Sequence, residues 1–216
     1  MQEADGRLIA ERYRVRSALG RGGAGAVWLA HDERLDRDVA VKEIEVAPSL
    51  SERESSALRQ RVLREARTAA RLDEVGAVRV YDVFEEDDRA FIVMEVLHAP
   101  SLAELVADGG PLSESAAARL GLEVLETLAA AHREGVVHRD VKPSNVIVPD
   151  SGRARLTDFG IAAVRGDASL TMTGTVLGSP SYLAPEQARG ETVGPAADLW
   201  GLGATLYYAV EGRPPF

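Results

Sequence analysis

A group of polar residues in the second half of the chain has the types and spacing that phosphate and metal chemistry requires. Asp140, Lys142 and Asn145 place a carboxylate, an ammonium group and an amide within one short segment, and Asp158 follows shortly after. Oxygen atoms of Asn145 and Asp158 are suited to share a hard cation such as Mg²⁺. Pro143 keeps the segment from continuing as a helix. A solvated polar loop is the competing interpretation, and it leaves Asp158 unexplained.

The first half contains a glycine-rich motif between two strands. The run from Leu19 to Val27 fits G-x-G-x-x-G-x-V, with glycines at positions 20, 22 and 25. Glycines let backbone N–H groups approach phosphate oxygens closely. A plain glycine-rich hairpin is the alternative. A dinucleotide-binding motif is disfavoured because a strand, not a helix, follows.

A lysine and a glutamate in the first half lie in unusual places. Lys42 ends the apolar strand of residues 39–42, where an ammonium group needs an anion. Glu65 falls inside the apolar stripe of a helix, so it would supply one anion, and a nucleotide phosphate would supply another. The alternative is a surface lysine and a surface glutamate that never meet.

The elements that must position these residues change character near residue 97. Before it the pattern is mostly short strands, with one long helix that starts in a capping box of Ser51 and Glu54. The acidic run 85–88 indicates a hairpin turn, to which we assign no function. After it, Ser101 and Ser113 are typical helix N-caps. The predicted later elements are an amphipathic helix over 120–132, short strands at 146–148 and 155–157, a long loop over 161–183, and a buried helix over 196–210.

Composition excludes several classes of protein. The 216 residues carry a net charge of −9, which argues against binding to nucleic acid or to a membrane surface. The absence of cysteine excludes disulfides, cysteine-based zinc sites and a catalytic thiol. The apolar run 200–210 is shorter than the roughly 20 residues that span a bilayer, and the polar N-terminus has no signal-peptide core. We therefore expect a soluble, cytoplasmic chain.

Taken together, the motifs resemble a known family. The segments GRGGAGAV, VAVK, HRDVKPSN, DFG, LAPE and DLWGLG occur in this order between Tyr13 and Phe216. This set resembles the eukaryotic-type (Hanks-type) protein kinases, and YLAPEQARGE is similar to bacterial, especially actinobacterial, Ser/Thr kinases. The resemblance implies an α+β, bilobal protein-kinase-like fold. A small antiparallel β-sheet lobe with one long helix would span residues 1–97, and a mainly helical large lobe, lacking its last helices, residues 98–216.

The resemblance implies transfer of the γ-phosphate of Mg-ATP to Ser or Thr hydroxyls of protein substrates. Asp140 would accept or orient the substrate hydroxyl, and Lys142 would steady the γ-phosphate. Lys42, oriented by Glu65, would hold the α- and β-phosphates. Mg²⁺ would be held by two oxygen ligands, Asn145 and Asp158.

By the same resemblance, ATP would lie between the two lobes, with its phosphates under the glycine loop. Adenine would hydrogen-bond the backbone of Glu95 and Leu97, with Met94 at the back of its pocket. Core packing explains the apolar members of this set equally well. The implied ATP-binding residues are Leu19, Gly20, Gly22, Gly25, Val27, Ala40, Lys42, Met94, Glu95, Leu97 and Ile147.

Regulation by phosphorylation is a further implication. Arg139 precedes Asp140, a feature of kinases that are switched by activation-loop phosphorylation. Thr171 and Thr173 match the doubly phosphorylated positions of bacterial relatives, and a phosphate on them would pair with Arg139. Ordinary polar loop threonines are the alternative. Ser179 stands where the family usually has threonine.

Asp198 would anchor the backbone of His138 and Arg139, by resemblance. The other histidines have no ligand-like spacing, and we predict surface or packing roles for them; they are His31, His98 and His132.

Kinase domains normally continue beyond the end of this sequence, so we expect a C-terminally truncated catalytic domain or an unusually short product. Four apolar residues of the last predicted helix would then lose neighbours. A longer parent could be membrane-anchored. Because related bacterial kinases often pair through the small lobe, a homodimer that autophosphorylates in trans is expected. The four helix residues are Leu199, Trp200, Leu202 and Leu206.

Two other function classes stay open at this point. An ATP-binding pseudokinase or scaffold is weakened by the presence of Lys42, Glu65, Asp140, Asn145 and Asp158. It gains weight if the truncated large lobe is inactive. The third class is an interaction domain with no affinity for ATP.

Overall fold

The chain divides into two compact units in the computed structural model. The first consists of Met1–Arg71 and Arg79–Val96, and the second of Leu72–Val78 and Leu97–Phe216. The short segment before residue 79 joins the second unit because Val78 donates its N–H to the Leu156 carbonyl at 2.9 Å. The structure describes residues 6–22, 25–46, 50–72, 76–150, 153–159 and 180–216.

Alternating apolar residues build an antiparallel sheet in the first unit. In the described residues it has six strands, in the order β1-β2-β3-β4-β6-β5. Each strand pairs antiparallel with its neighbours. The strands are β1 (Leu8–Ile9), β2 (Tyr13–Gly22), β3 (Gly25–Asp32), β4 (Arg37–Ile44), β5 (Val80–Glu86) and β6 (Arg89–Met94).

One face of this sheet forms an apolar core. Trp28 on β3 pairs with Val41 on β4, and Val41 pairs with Val93 on β6. All three side chains are buried in one cluster that also contains Tyr13 and Phe91. This packing fixes the register of the central strands. The residues that alternate with these core residues along each strand therefore point to the opposite face.

Helix α1 (Glu52–Ala69) begins where the sequence predicts it. The Ser51 hydroxyl accepts from the Glu54 N–H, and the Glu54 carboxylate accepts from the Ser51 N–H, which confirms the capping box. Val62 and Leu63 are buried on the face that packs against β5 and β6. The helix therefore presents its later residues, including Glu65, from a fixed position on the sheet.

The acidic run 85–88 is a hairpin turn, as predicted, but it also has a structural role that the sequence did not suggest. Arg59 on α1 is only 7% exposed. Its guanidinium donates to Glu85 at 2.8 Å and to Asp88 at 2.9 Å. Glu86 accepts from the Ala10 N–H at 3.0 Å. The hairpin thus ties α1 and the start of the chain to the sheet.

The second unit is mainly helical. Ser101 and Ser113 are the N-caps of α2 and α3, as predicted. A two-stranded sheet of β7 and β8 follows α3, and turns of 3₁₀ helix cover Pro143–Asn145 and Pro180–Tyr182. No described helix has the length and apolar character needed to cross a membrane. The elements are α2 (Leu102–Gly109), α3 (Glu114–Arg133), β7 (Val146–Ile147), β8 (Arg155–Leu156), α4 (Pro185–Ala188) and α5 (Pro195–Glu211).

The helix predicted over 196–210 is found as α5, and it is buried on one side only. Leu199 and Trp200 are 51% and 39% exposed, whereas Leu202 is buried. Leu206 packs against Gly121 of α3, whose missing Cβ leaves room for it. Only the first two of the four residues expected to lose neighbours are exposed.

Candidate active site

The face of the first sheet opposite its apolar core carries several predicted site residues. Val27 on β3 pairs with Lys42 on β4, and Lys42 pairs with Ile92 on β6. One row further along, Ala40 pairs with Met94. Directly paired residues, and every second residue of a strand, lie on the same face, so Val27, Ala40, Lys42 and Met94 share it. Lys42 is only 4% exposed, which places a buried cation on this face.

Different physical reasons apply to the individual glycines of the β2–β3 region. Gly22 is paired with Gly25, which has a φ of +123°. A Cβ on Gly25 would lie 1.9 Å from the Glu43 carbonyl oxygen, so only glycine fits there. A Cβ on Gly20 would meet nothing within 4 Å in the described part of the chain. Packing against the described residues therefore does not explain why this position is glycine. Leu19 beside it is half-exposed.

Glu65 lies on α1 with 23% of its side chain exposed. The Arg61 Nε lies 3.4 Å from Glu65 Oε1, an i,i+4 pair along the helix. The sequence analysis did not name Arg61 as a neighbour of this carboxylate. The pairing of Glu65 with Lys42 stays a prediction.

The backbone N–H groups of the two residues proposed to bind adenine, Glu95 and Leu97, differ in their hydrogen bonding. The Glu95 N–H donates to the Arg79 carbonyl at 2.9 Å. The Leu97 N–H has no backbone acceptor among the described residues. Binding of adenine by these two backbone positions stays a prediction. Ile147, on β7, is half-buried.

Two side chains of the second unit's polar segment hold one oxygen of the Asp140 carboxylate. Its Oδ2 accepts from Lys142 Nζ at 2.6 Å and from Asn145 Nδ2 at 3.2 Å. Asn145 Nδ2 also donates to the Asp140 carbonyl at 2.8 Å. Among the described residues Oδ1 has no donor, so this oxygen is available to accept a proton from an incoming hydroxyl.

His138 fixes the same segment from inside the unit. The ring is fully buried; Nδ1 accepts from the Asp140 N–H at 3.2 Å and Nε2 lies 2.8 Å from the Thr157 carbonyl. Because a carbonyl only accepts, Nε2 is the donor of this hydrogen bond. The Phe159 ring packs on it at 4.7 Å between centroids. His138 thus links Asp140 to the strand that leads to Asp158.

Asp198, on α5, holds the backbone at the start of the segment, as the resemblance implied. It is fully buried and accepts from the His138 N–H at 2.9 Å and the Arg139 N–H at 2.6 Å. A third donor is His132 Nε2 at 2.7 Å. The sequence analysis missed His132: it gave this histidine only a surface or packing role, because nothing in its spacing points to Asp198, 66 residues later.

Asn145 and Asp158 have the donor chemistry of a magnesium site. Asn145 uses Nδ2 for its hydrogen bonds to Asp140, which leaves Oδ1 as a ligand atom. Asp158 has a φ of +67°, a strained value for a residue other than glycine that is typical of functional positions. In the described residues, no group of three or more His, Asp or Glu side chains is placed to hold a metal ion. Two protein oxygens suffice for Mg²⁺, which keeps several waters and binds substrate phosphates.

Several predicted residues lie outside the described part of the chain. They are Thr171, Thr173 and Ser179. The interpretations given to them stay predictions.

Known proteins similar to this chain are protein kinases. The model of the protein kinase domain matches residues 13–216. The serine/threonine-protein kinase PrkC of Bacillus subtilis is 38% identical over 211 residues, which is 98% of this chain and 32% of that protein. PknL of Mycobacterium tuberculosis is 38% identical over 209 residues, 97% of this chain and 51% of that protein. The chain thus spans about a third to a half of the length of these relatives.

A solved structure gives the same result at the level of the fold. The kinase domain of PknI from Mycobacterium tuberculosis superposes with a TM-score of 0.80. The two sequences are 30% identical, and the match covers 100% of this chain and 80% of the PknI chain. The α+β kinase fold predicted from the sequence is confirmed.

Proposed function

This chain belongs to the protein kinase family, and from that premise we propose that it transfers the γ-phosphate of ATP to Ser and Thr hydroxyls of proteins. The observation that carries the proposal is the geometry at Asp140. One carboxylate oxygen is held by Lys142 and Asn145, and the other, which has no donor among the described residues, can accept from a hydroxyl. Similarity to bacterial serine/threonine-protein kinases over almost the whole chain supports it.

In this proposal the second unit carries out the transfer. Asp140 accepts a hydrogen bond from the substrate hydroxyl and takes its proton as the O–P bond forms and the bond to ADP breaks. Lys142 faces the same carboxylate at 2.6 Å, so its ammonium group is placed to neutralise charge on the γ-phosphate. Lys142 at this position also supports a preference for Ser and Thr.

The nucleotide is bound, in the same proposal, by the residues that the resemblance implies. Lys42, oriented by Glu65, would hold the α- and β-phosphates, and the glycines at 20, 22 and 25 would cover them. Adenine would hydrogen-bond the backbone of Glu95 and Leu97. The apolar residues proposed to surround adenine are Leu19, Val27, Ala40, Met94 and Ile147.

We assign Mg²⁺ to Asn145 and Asp158, and when bound it would neutralise negative charge on the phosphates. Asn145 is buried and held through its Nδ2, so its Oδ1 has a fixed direction. A fixed ligand atom loses little conformational entropy on binding. The chain's contribution is therefore to orient the ligand oxygens.

Activation by phosphorylation at Thr171 or Thr173 and pairing of two copies for transfer in trans are part of the proposal. The resemblance supports both. The phosphate would pair with Arg139, next to Asp140 in the sequence. We place the catalytic chain in the cytoplasm because ATP is an intracellular metabolite. Mass spectrometry after incubation with Mg-ATP should find phosphate on Thr171 or Thr173; an active enzyme with both unmodified would contradict this.

The central test compares the wild-type chain with Asp140→Asn in transfer of labelled phosphate to a generic basic protein. The variant should lose about 10²–10⁴-fold in rate, because the proton acceptor is gone. Equal transfer by both proteins would contradict the proposal. Mg-ATP should raise the melting temperature of both, because bound ligand stabilises the folded state.

A further inference from the structure

The side chain of Gln187 connects helix α4 to the polar segment that holds Asp140. Its Oε1 accepts from the Ala184 N–H at 3.0 Å, and its Nε2 donates to the Arg139 carbonyl at 2.8 Å. The two partners determine the orientation of the amide, since an N–H only donates and a carbonyl only accepts. A single half-buried side chain thus bonds two segments that are 45 residues or more apart.

The Arg139 carbonyl belongs to the peptide unit that leads into Asp140. The N–H of this unit, that of Asp140, donates to His138 Nδ1 at 3.2 Å. Gln187 therefore completes a clamp on both ends of one peptide plane. Rotation of this plane would swing the Asp140 carboxylate away from its place beside Lys142.

The clamp lies next to a strained residue. Arg139 has a φ of +68°, a left-handed value that is strained for a residue other than glycine. Its N–H is held by Asp198 Oδ1 at 2.6 Å. With Gln187 on the carbonyl, both backbone polar groups of Arg139 have side-chain partners, so the strained conformation is held from both sides.

We propose that Gln187 is a positioning residue for phosphoryl transfer, acting on Asp140 through the Arg139–Asp140 peptide. This inference rests on the proposed function, since it takes Asp140 as the residue that receives the hydroxyl proton. Through Gln187, the position of residues 184–187 is also coupled to the backbone beside Asp140.

Helix capping alone does not account for Gln187. The capping bond at α4 uses only Oε1, and glutamate at this position would accept the same bond and interact favourably with the helix dipole. The Nε2 donor, which glutamate lacks, is the part that reaches Arg139. Gln187→Glu therefore separates the two roles.

The experiment measures kcat, the KM for ATP and the melting temperature for wild type, Gln187→Glu and Arg189→Gln. Arg189→Gln is the matched control, because it changes the net charge by the same amount at an exposed position two residues away. We expect Gln187→Glu to lower kcat at least about tenfold, with KM and melting temperature unchanged. Gln187→Met, which loses both bonds, should lower kcat as well and also the melting temperature.

Three results would overturn the inference. They are a wild-type kcat in Gln187→Glu, a loss that appears equally in Arg189→Gln, or a loss that comes only with a lower melting temperature or a higher KM. If the wild-type chain transfers no phosphate, the proposed function fails and the inference falls with it. An active wild type beside an unaffected Gln187→Glu refutes the inference alone.

Discussion

Each unit of the molecule contains a buried carboxylate with several donors, and the donors differ in kind. In the first unit, Glu43 accepts from Trp28 Nε1 at 3.1 Å, from Arg89 at 2.5 Å and from Arg7 at 3.4 Å. In the second unit, Asp198 accepts from two backbone N–H groups and one histidine ring. Both carboxylates are nearly inaccessible, with side-chain exposures of 8% and 0%.

The difference shows what each carboxylate is needed for. Trp28, Glu43 and Arg89 lie on strands whose backbone is already paired in the sheet, so Glu43 only joins side chains. The N–H groups of His138 and Arg139 lie in a segment without regular structure, where a buried N–H must find a side-chain acceptor. The Asp198 carboxylate accepts the hydrogen bonds that a neighbouring strand would accept in a sheet. We therefore expect Glu43 to affect stability and Asp198 to affect both stability and the site.

The largest effect is expected for Asp198→Ala. Removing this carboxylate leaves two backbone N–H groups and His132 without their acceptor, which should lower the free energy of unfolding by about 3–5 kcal/mol. The strained backbone at Arg139 would relax, and kcat should fall about 10²-fold in the protein that still folds. Urea denaturation and phosphate transfer below the melting temperature measure the two effects. A folded variant with normal kcat would show that Asp198, like Glu43, affects stability alone.

A smaller effect, confined to stability, is expected for Glu43→Gln. The amide accepts fewer hydrogen bonds and has no charge for Arg7 and Arg89, but both arginines are partly exposed and regain water. We expect the free energy of unfolding to fall by about 2 kcal/mol, with kcat unchanged. If kcat fell as strongly as in Asp198→Ala, the two carboxylates would have the same role.

Acid should reveal the charge of Glu43. Burial raises the pKa of this carboxyl, but hydrogen bonds from Arg89, Trp28 and Arg7 outweigh burial, and the net pKa lies below its ordinary value. A lowered pKa in the folded state gives stability that is present above the unfolded pKa of about 4.3 and is lost as the pH falls through the folded pKa. Wild type should therefore lose more stability than Glu43→Gln between about pH 5 and 3. Parallel loss in urea midpoints would show that Glu43 is not the titrating group.

The smallest effects are expected for the two capping boxes, which are alike in both units. Ser51 with Glu54 begins α1, and Ser101 with Glu104 begins α2. Because this motif acts within one turn of helix, Ser51→Ala and Ser101→Ala should each cost about 1 kcal/mol. Thermal denaturation measures both. A several-fold difference would mean that the units differ in local as well as tertiary interactions.

Local features of the fold could be predicted from the sequence, because they depend on residues that are neighbours in the sequence. The capping serines, the acidic hairpin and the strand around Lys42 depend on residues a few positions apart, and all are found as predicted. The pairing of Arg59 with Glu85 and Asp88 was not readable. It joins a helix to a hairpin 26 residues later, and no local pattern marks those partners.

The residues of the site could be predicted from the sequence only where they lie close together in it. Asp140, Lys142 and Asn145 lie in one segment, so their types alone indicated the chemistry. The contribution of His132 and Gln187 was not readable, because each acts through a backbone group or carboxylate brought to it by packing of the helices. The side chains themselves are ordinary: a histidine near a helix end and a glutamine in a helix cap.

The sequence by itself determined which groups are present and how neighbours arrange: the carboxylate, ammonium and amide of the Asp140 segment, the glycines, and the starts of the helices. The tertiary structure decided which buried groups meet. It placed Asp198, His132 and Gln187 around the backbone of His138 and Arg139. The physical reason is range: capping and strand periodicity act over a few residues, whereas satisfying a buried N–H or carbonyl depends on whichever side chain the packed core brings within about 3 Å.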